Sequence, residues 1–258
     1  MAADAPLPRS SALLAVLVVL LAAAAAGFVA LGAWQVERLG WKQALIARVD
    51  ARIHAAPVAA PGAGEWAGLD RQNAEYRRIQ AQGRFDAARQ VTVAATTELG
   101  AGYWVLTPLR RADGAWLLVN RGFVPPEQRT AIDPPGGAVQ VVGLLRLTEP
   151  GGSLLRDNVP AQGRWYSRDV QAIAAALGLE GPVAPYFVDA QSIDGATGGW
   201  PRPGLTVVQF PNNHLGYALT WFALAAGAIA AAGYLLHDER LQRRRAGAQR
   251  LDTDHHAT

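Results

Sequence analysis

The residues best able to do chemistry lie together in Asn212-Asn213-His214-Leu215-Gly216-Tyr217-Ala218-Leu219-Thr220-Trp221. His214 is the one Asp, Glu, Lys, Arg or His between Thr206 and Leu236. A titratable side chain at the lip of an apolar run is expensive to place there, which makes it a candidate functional group. Imidazole chemistry is proton transfer or metal ligation. On a helix His214, Tyr217, Ala218 and Trp221 fall at i, i+3, i+4 and i+7, on one face. The plainer alternative is an aromatic belt at a membrane surface with a wetted histidine. A second candidate group is Trp34, Gln35, Arg38 and Lys42. Trp34, Arg38 and Trp41 again share helical spacing, and an interfacial anchor with a snorkelling arginine explains them as well as binding does.

Composition narrows that chemistry. Cysteine is absent and Met1 is the one methionine. Disulfides and covalent haem attachment through C-x-x-C-H are therefore excluded, and a soft-ligand copper(I) site is disfavoured. Neither G-x-S-x-G nor H-E-x-x-H occurs, and there is no cysteine nucleophile, so no catalytic turnover is expected. His54, His237, His255 and His256 have no catalytic partner nearby in sequence. The formal net charge of +3 does not point to nucleic acid, because much of the basic surplus sits in the last twenty or so residues.

Two apolar runs must carry the candidate residues. Ala12–Ala33 and Leu215–Leu236 are each about 22 residues without a charge, long enough to cross a bilayer as helices. A cleaved signal peptide is the rival reading of the first run. Its apolar core would stop near the Ala22–Ala26 cleavage signal, whereas Phe28, Val29 and Leu31 continue, so an uncleaved anchor is expected. Small residues at four-residue spacing (Ala22, Ala26, Ala30; Ala223, Gly227, Ala231) suggest the faces on which the helices approach. Arg240, Arg243, Arg244, Arg245 and Arg250 predict a cytoplasmic tail, hence a cytoplasmic N-terminus and an extracytoplasmic middle. Arg38, Lys42, Arg48 and Arg52 argue the other way, but long translocated domains follow the charge rule poorly.

The expected layout is a cytoplasmic N-terminus (1–11), a first span (12–33), a helical extension and linker (34–68), an extracytoplasmic β-rich domain (69–211), a second span (212–236) and an arginine-rich cytoplasmic tail (237–258). The middle reads as many short strands: Tyr76–Gln80, Val91–Thr97, Tyr103–Leu109, Trp116–Val124, Val139–Leu147, Tyr186–Val188 and Thr206–Val208. Asp113-Gly114 is a hairpin signal, and Asp133-Pro134-Pro135-Gly136-Gly137 is a loop no strand can cross. Asp169 caps one short amphipathic helix running to Gly178, placed to cover an edge or end of the sheet. The fold class expected is a membrane protein with two transmembrane α-helices flanking an α+β domain, mainly antiparallel β, built as an open sheet or small barrel.

Three ordered motifs then carry a resemblance. Gly32-Ala33-Trp34-Gln35 with Arg38-Leu39 and Trp41-Lys42 resembles the opening signature of the Surfeit locus protein family of cytochrome oxidase assembly factors. Tyr103–Leu109 with Leu118-Val119-Asn120-Arg121-Gly122-Phe123-Val124-Pro125 is similar to its central signature. Asn213-His214-Leu215, Tyr217-Ala218 and Thr220-Trp221 are similar to its closing one. Phe123 and Gly216 depart from the pattern, where Trp and a polar residue would be usual. The resemblance covers about residues 30–225. It implies help in building haem-copper terminal oxidases, with haem a as cofactor and the histidine of the closing motif, His214, as iron ligand. Trp34, Gln35, Tyr217, Trp221 and Arg38 would line the site, with Lys42 beside Arg38 for the propionates. The partners implied are the oxidase catalytic subunit, haem a synthase and membrane lipid. A scaffold that holds an oxidase intermediate and never touches haem is the alternative. The short N-terminus and the tail fit a bacterial inner-membrane member.

Overall fold

The computed structural model describes residues 11–130, 132–153, 156–196, 198–205 and 212–255, with 246–255 described by backbone alone. The strand expected at Thr206–Val208, most of the N-terminal segment and the Arg250 side chain lie outside the described residues. The chain forms two compact units. One holds the chain through Ile46 together with everything from Phe210; the other is Ala47–Gln209.

The first unit is a pair of long helices. Helix α1 spans Ser11–His54 and helix α3 spans His214–His255. Both contain windows long and apolar enough to cross a membrane, with mean hydropathy 2.8 and 1.7. No proline interrupts α1 after the apolar run, so it continues to His54 and stops shortly before Pro57. Ser11 accepts a hydrogen bond from Arg243, Phe28 stacks on Trp221, and Gln35 meets His214. That order makes the two helices antiparallel.

The packed faces follow alternating three- and four-residue steps. In α1 they are Leu14, Val18, Leu21, Ala25, Phe28, Gly32 and Gln35; in α3, His214, Ala218, Trp221, Ala225 and Ala228. This corrects the small-residue stripes expected above. Ala22, Ala26, Ala30, Ala223, Gly227 and Ala231 are exposed, because a strict four-residue step drifts around a helix whose contact line follows steps of three and four. Gly32 is the small residue that matters: a Cβ there would sit 2.6 Å from the Phe222 ring.

The second unit is a β-barrel. Its strands are β1 (Val58–Ala59), β2 (Arg78–Phe85), β3 (Val91–Thr97), β4 (Gly100–Arg111), β5 (Trp116–Val124), β6 (Ala138–Leu147) and β9 (Val183–Ile193), ordered β1-β2-β6-β9-β5-β4-β3. The pair β7 (Gly152–Ser153) and β8 (Arg156–Asp157) forms a separate small hairpin. β2 also pairs with β4 from Gly83↔Arg111 to Phe85↔Leu109, which closes β2-β6-β9-β5-β4 into a ring with β3 outside it. Gly83 makes closure possible, since a Cβ there would strike the Arg110 carbonyl oxygen. The sheet is mostly antiparallel; β5 and β9 run parallel, as do β1 and β2. Val91–Thr97 and Trp116–Val124 form strands with the bounds read from sequence, and Val139–Leu147 gains one residue, whereas β2, β4 and β9 run 8 to 12 residues, longer than expected. The Asp113-Gly114 hairpin is present, with Gly114 at φ +81° and Asp113 Oδ1 accepting from Ala115 N–H at 3.0 Å.

Strand alternation divides the core. Ile79, Leu109, Leu117, Val119, Val141, Leu145, Tyr186 and Val188 point inward and fill the barrel. Leu106, Leu118 and Phe187 point outward from the same strands and meet helix α2 (Val170–Ala176) through Val170 and Ile173. The short helix thus covers an outer face, not an edge or an end. Its N-cap is Asp169, whose carboxylate accepts from Ala172 N–H at 3.1 Å. Gly178 follows at φ +60°.

Both ends of the barrel are tied. The Pro61 carbonyl accepts from Tyr186 Oη at 2.8 Å, Arg111 Nη1 at 2.9 Å and Trp66 Nε1 at 3.1 Å. Burial pushes the Tyr186 hydroxyl up to about 12, consistent with a neutral donor. At the opposite end Phe123 and Arg202 exchange backbone hydrogen bonds, both at 2.9 Å. Gly122 lies under that bridge at φ +129°, where a Cβ would collide with the Arg202 carbonyl. Gly122→Ala combines backbone strain with a backbone clash. It is expected to destabilise the barrel by about 2–4 kcal/mol, read as a fall in melting temperature of the detergent-solubilised protein. An unchanged melting temperature would show that the 202–205 segment detaches freely.

Candidate functional site

The His214 stretch folds as the sequence suggests: α3 begins at His214, immediately after Asn212 and Asn213. His214 therefore occupies the first turn, where a side chain projects beside the helix entrance without disturbing the span. Its Nδ1 lies 2.7 Å from Gln35 Oε1 on α1. A carboxamide oxygen only accepts, so this contact places the ring proton on Nδ1. In the neutral ring Nε2 is then the nitrogen with a lone pair, and no described residue hydrogen-bonds it. Gln35 is buried, so the acceptor is held still by packing. An imidazole fixed through one nitrogen and open at the other is the arrangement that favours metal ligation.

The other sequence candidates surround this pair unevenly. Trp221, two turns along α3, turns toward α1 and stacks on Phe28 with ring centroids 5.7 Å apart. Tyr217 does not share that face. It is 57% exposed while the adjacent Ala218 is buried, and it borders a separate hollow of about 470 Å³ with Asn212, Asn213, Gly216 and Thr220. The angular step from His214 to Tyr217 is enough to carry the ring off the contact line. Trp34 is 53% exposed beside Gln35. Arg38 lies over the Trp41 ring at 4.2 Å and makes no ion pair among the described residues. Lys42 is one turn further along α1.

Among the described residues no three His, Cys, Asp or Glu converge as a metal cage. A single imidazole can hold iron only where a macrocycle supplies the remaining nitrogens. The donor chemistry at His214 fits that case and no multidentate protein site.

One further constellation escaped the sequence reading. Asp189, 2% exposed on β9, accepts from Arg146 Nη1 at 2.9 Å, Arg168 Nη1 at 3.1 Å and Asn120 Nδ2 at 2.7 Å. Glu75 pairs with Arg146 at 2.7 Å and Glu149 with Arg168 at 2.6 Å. Both guanidiniums lie over Phe187. Burial alone would lower the Arg146 pKa, yet Asp189 and Glu75 outweigh it and hold it above its ordinary value. Tyr76, at φ +62°, places its ring 4.8 Å from Arg146. This network closes the outer face of the barrel beside the α2 packing, so its role is to fasten strands rather than to do chemistry.

Comparison with known proteins bears on the helix-pair site and the barrel together. The SURF1 family model matches residues 22–226, which takes in Gln35, the whole barrel and His214. The chain belongs to the SURF1 family. Mouse Surfeit locus protein 1 is 34% identical over 219 residues, covering 76% of this chain and 68% of the mouse protein. The human protein of the same name is 35% identical over 222 residues, covering 76% and 69%. A SURF1-like protein of Monosiga brevicollis is 32% identical over 216 residues, covering 78% and 80%. Membership in the SURF1 family therefore rests on the barrel and both helix-borne motifs at once.

Proposed function

We propose that this SURF1-family chain assists assembly of a haem-copper terminal oxidase by holding haem a at the entrance of α3, with His214 Nε2 as the donor to iron. The observation that carries the reading is the His214 Nδ1 to Gln35 Oε1 hydrogen bond, which orients the ring and leaves Nε2 open. Bound haem would be cargo, destined for the oxidase catalytic subunit, with haem a synthase as the source. The chain's own residues would bind and orient it: Gln35 fixes the imidazole, exposed Trp34 offers an aromatic surface, and Arg38 supplies a cation for a propionate. The test is to purify the full chain in detergent from a haem-a-producing host and record its Soret absorption. A stoichiometric Soret band supports haem handling. Its absence favours the scaffold reading, for which the same hydrogen bond would simply pin α1 to α3.

The topology that goes with this reading places the barrel outside a bacterial inner membrane and the arginine-rich end of α3 in the cytoplasm. A reporter fused after Thr258 is then expected to be active only in the cytoplasm, and one inserted near Gly64 only outside it. Reversed activities would overturn the orientation.

A further inference from the structure

One row of residues crosses the outer face of the barrel at the end that carries the Asp113-Gly114 turn. Register sets Ala138 of β6 beside Arg84 of β2, Arg84 beside Arg110 of β4, Arg110 beside Trp116 of β5, and Trp116 beside Val183 of β9. Leu109 and Leu117 point into the barrel, so the adjacent Arg110 and Trp116 point out. Arg84, directly opposite Arg110, shares that outer face. Two arginines therefore face each other across an antiparallel pair, where Cβ atoms lie about 5 Å apart and like charges repel. No acidic residue stands in the row.

Neither cation is balanced elsewhere. Arg84 and Arg110 are both exposed, and neither forms an ion pair among the described residues. Arg84 makes no hydrogen bond among them either. Arg110 lies over the Trp116 ring at 4.6 Å and spends one donor, Nη1, on a long contact of 3.4 Å to the Glu180 carbonyl. Arg89 lies over the same ring at 5.5 Å but is paired with Asp86 at 3.0 Å, as Arg111 is with Asp113 at 3.0 Å. The Glu180 side chain is exposed, and its carboxylate pairs with neither Arg84 nor Arg110. Within the fold, the Arg84–Arg110 juxtaposition only costs stability.

We propose that this row is a docking surface for an acidic segment of a partner polypeptide, with Arg84 and Arg110 each receiving a carboxylate. A negatively charged segment laid across the two guanidiniums removes their repulsion and uses donors that the fold leaves idle. The planar fork of Arg110, braced on Trp116, matches a carboxylate in bidentate fashion. The outer face of a closed barrel is convex, and the two cations stand side by side at strand spacing rather than converging on one point. Carboxylates spread along an extended chain match that layout better than the single compact charge of a phosphate group. Docking there needs no haem and no residue of the helix pair.

The test uses the full chain in detergent at low ionic strength, with a rhodamine-labelled peptide of alternating Thr and Glu followed by fluorescence anisotropy. The same peptide with Gln for Glu is the neutral comparison. Glycerophosphoglycerol, the water-soluble headgroup of an anionic lipid, is the competitor. The Glu peptide is expected to bind saturably and to weaken as salt rises, and the Gln peptide to bind about tenfold or more weakly. Arg84→Gln and Arg110→Gln are each expected to weaken Glu-peptide binding about three- to fivefold, and the double variant about tenfold or more. Arg71→Gln, the same charge change on an exposed arginine outside the row, is expected to leave binding unchanged. Arg84→Gln is also expected to hold or raise the melting temperature, because it removes a cross-strand repulsion; a loss of binding in that variant is then not a loss of fold. Equal affinity for the two peptides, no saturable binding, or an equal loss in Arg71→Gln would each overturn the proposal. So would binding that survives in the double variant. Tighter binding of glycerophosphoglycerol than of the Glu peptide would overturn it in favour of a lipid headgroup.

Discussion

His214→Ala is expected to remove the Soret band from the purified chain while leaving its amount, membrane insertion and barrel circular dichroism unchanged. The separation of effects follows from position. His214 starts α3, and the packing below it (Ala218, Trp221, Ala225) does not pass through the imidazole. On the proposed ligation, loss of the imidazole would remove the bond to iron outright, whereas the span still has its apolar run. Gln35→Leu should behave differently. It leaves a donor to iron but releases the tautomer, so haem affinity should fall by about 10- to 100-fold, the range seen when a ligand's hydrogen-bond partner is removed. Imidazole added to His214→Ala should restore part of the absorption, because the hollow left can admit the missing ring. Equal haem per protein in wild type and His214→Ala would sink the ligand assignment. A Soret band lost together with the protein itself would show that His214 holds the helices together, which is the scaffold reading.

The parts of this molecule that were legible in its sequence are those set by local chemistry. The strands over Val91–Thr97, Trp116–Val124 and Val139–Leu147, the Asp113-Gly114 turn and the Asp169 cap each depend on residues within a few positions of one another. Barrel closure was not legible, because the β2–β4 pairing is a choice between distant strands that Gly83 permits without announcing. The helix contact misled for a related reason. In a run as rich in alanine as α1, small residues occur at every spacing, so their presence cannot mark the packed face. The buried positions Ala25, Gly32 and Gln35 mark it, and only the partner helix reveals which these are. His214 and Gln35 were each singled out by motif and patterning, yet nothing in the chain declared their hydrogen bond across 179 residues of sequence. Tyr217 was placed on the His214 face by helical spacing alone, and the sixth of a turn between positions i and i+3 was enough to carry it off that face. The Asp189 network was invisible because Glu75, Arg146, Glu149 and Arg168 read singly as surface charges.

That network supports the second large effect. Asp189→Ala is expected to destabilise the barrel by about 3–5 kcal/mol, because it removes the most deeply buried of the carboxylates that neutralise two buried guanidiniums, and with it the charge-assisted hydrogen bonds to both. Arg146 would keep Glu75, and Arg168 would keep Glu149, so the loss falls on the side of each guanidinium that faces the sheet. Asn120 Nδ2 would also lose its acceptor, at the junction of β5 and β9 where the two strands run parallel. Asp189→Asn retains one carbonyl oxygen for Asn120 but cannot balance both charges, and should recover only a minor part. The decisive comparison is the triple replacement Asp189→Leu, Arg146→Met, Arg168→Leu. Removing the three together leaves no buried guanidinium short of a partner, while Glu75 and Glu149 stay part-exposed and keep the Leu147 and Arg168 backbone N–H groups as donors, so the domain should lie closer to wild type than Asp189→Ala alone. Denaturant melts of the three proteins in detergent would order them as wild type, then triple, then Asp189→Ala. A triple variant less stable than Asp189→Ala would mean that the ion pairs stabilise the barrel by themselves, beyond neutralising one another.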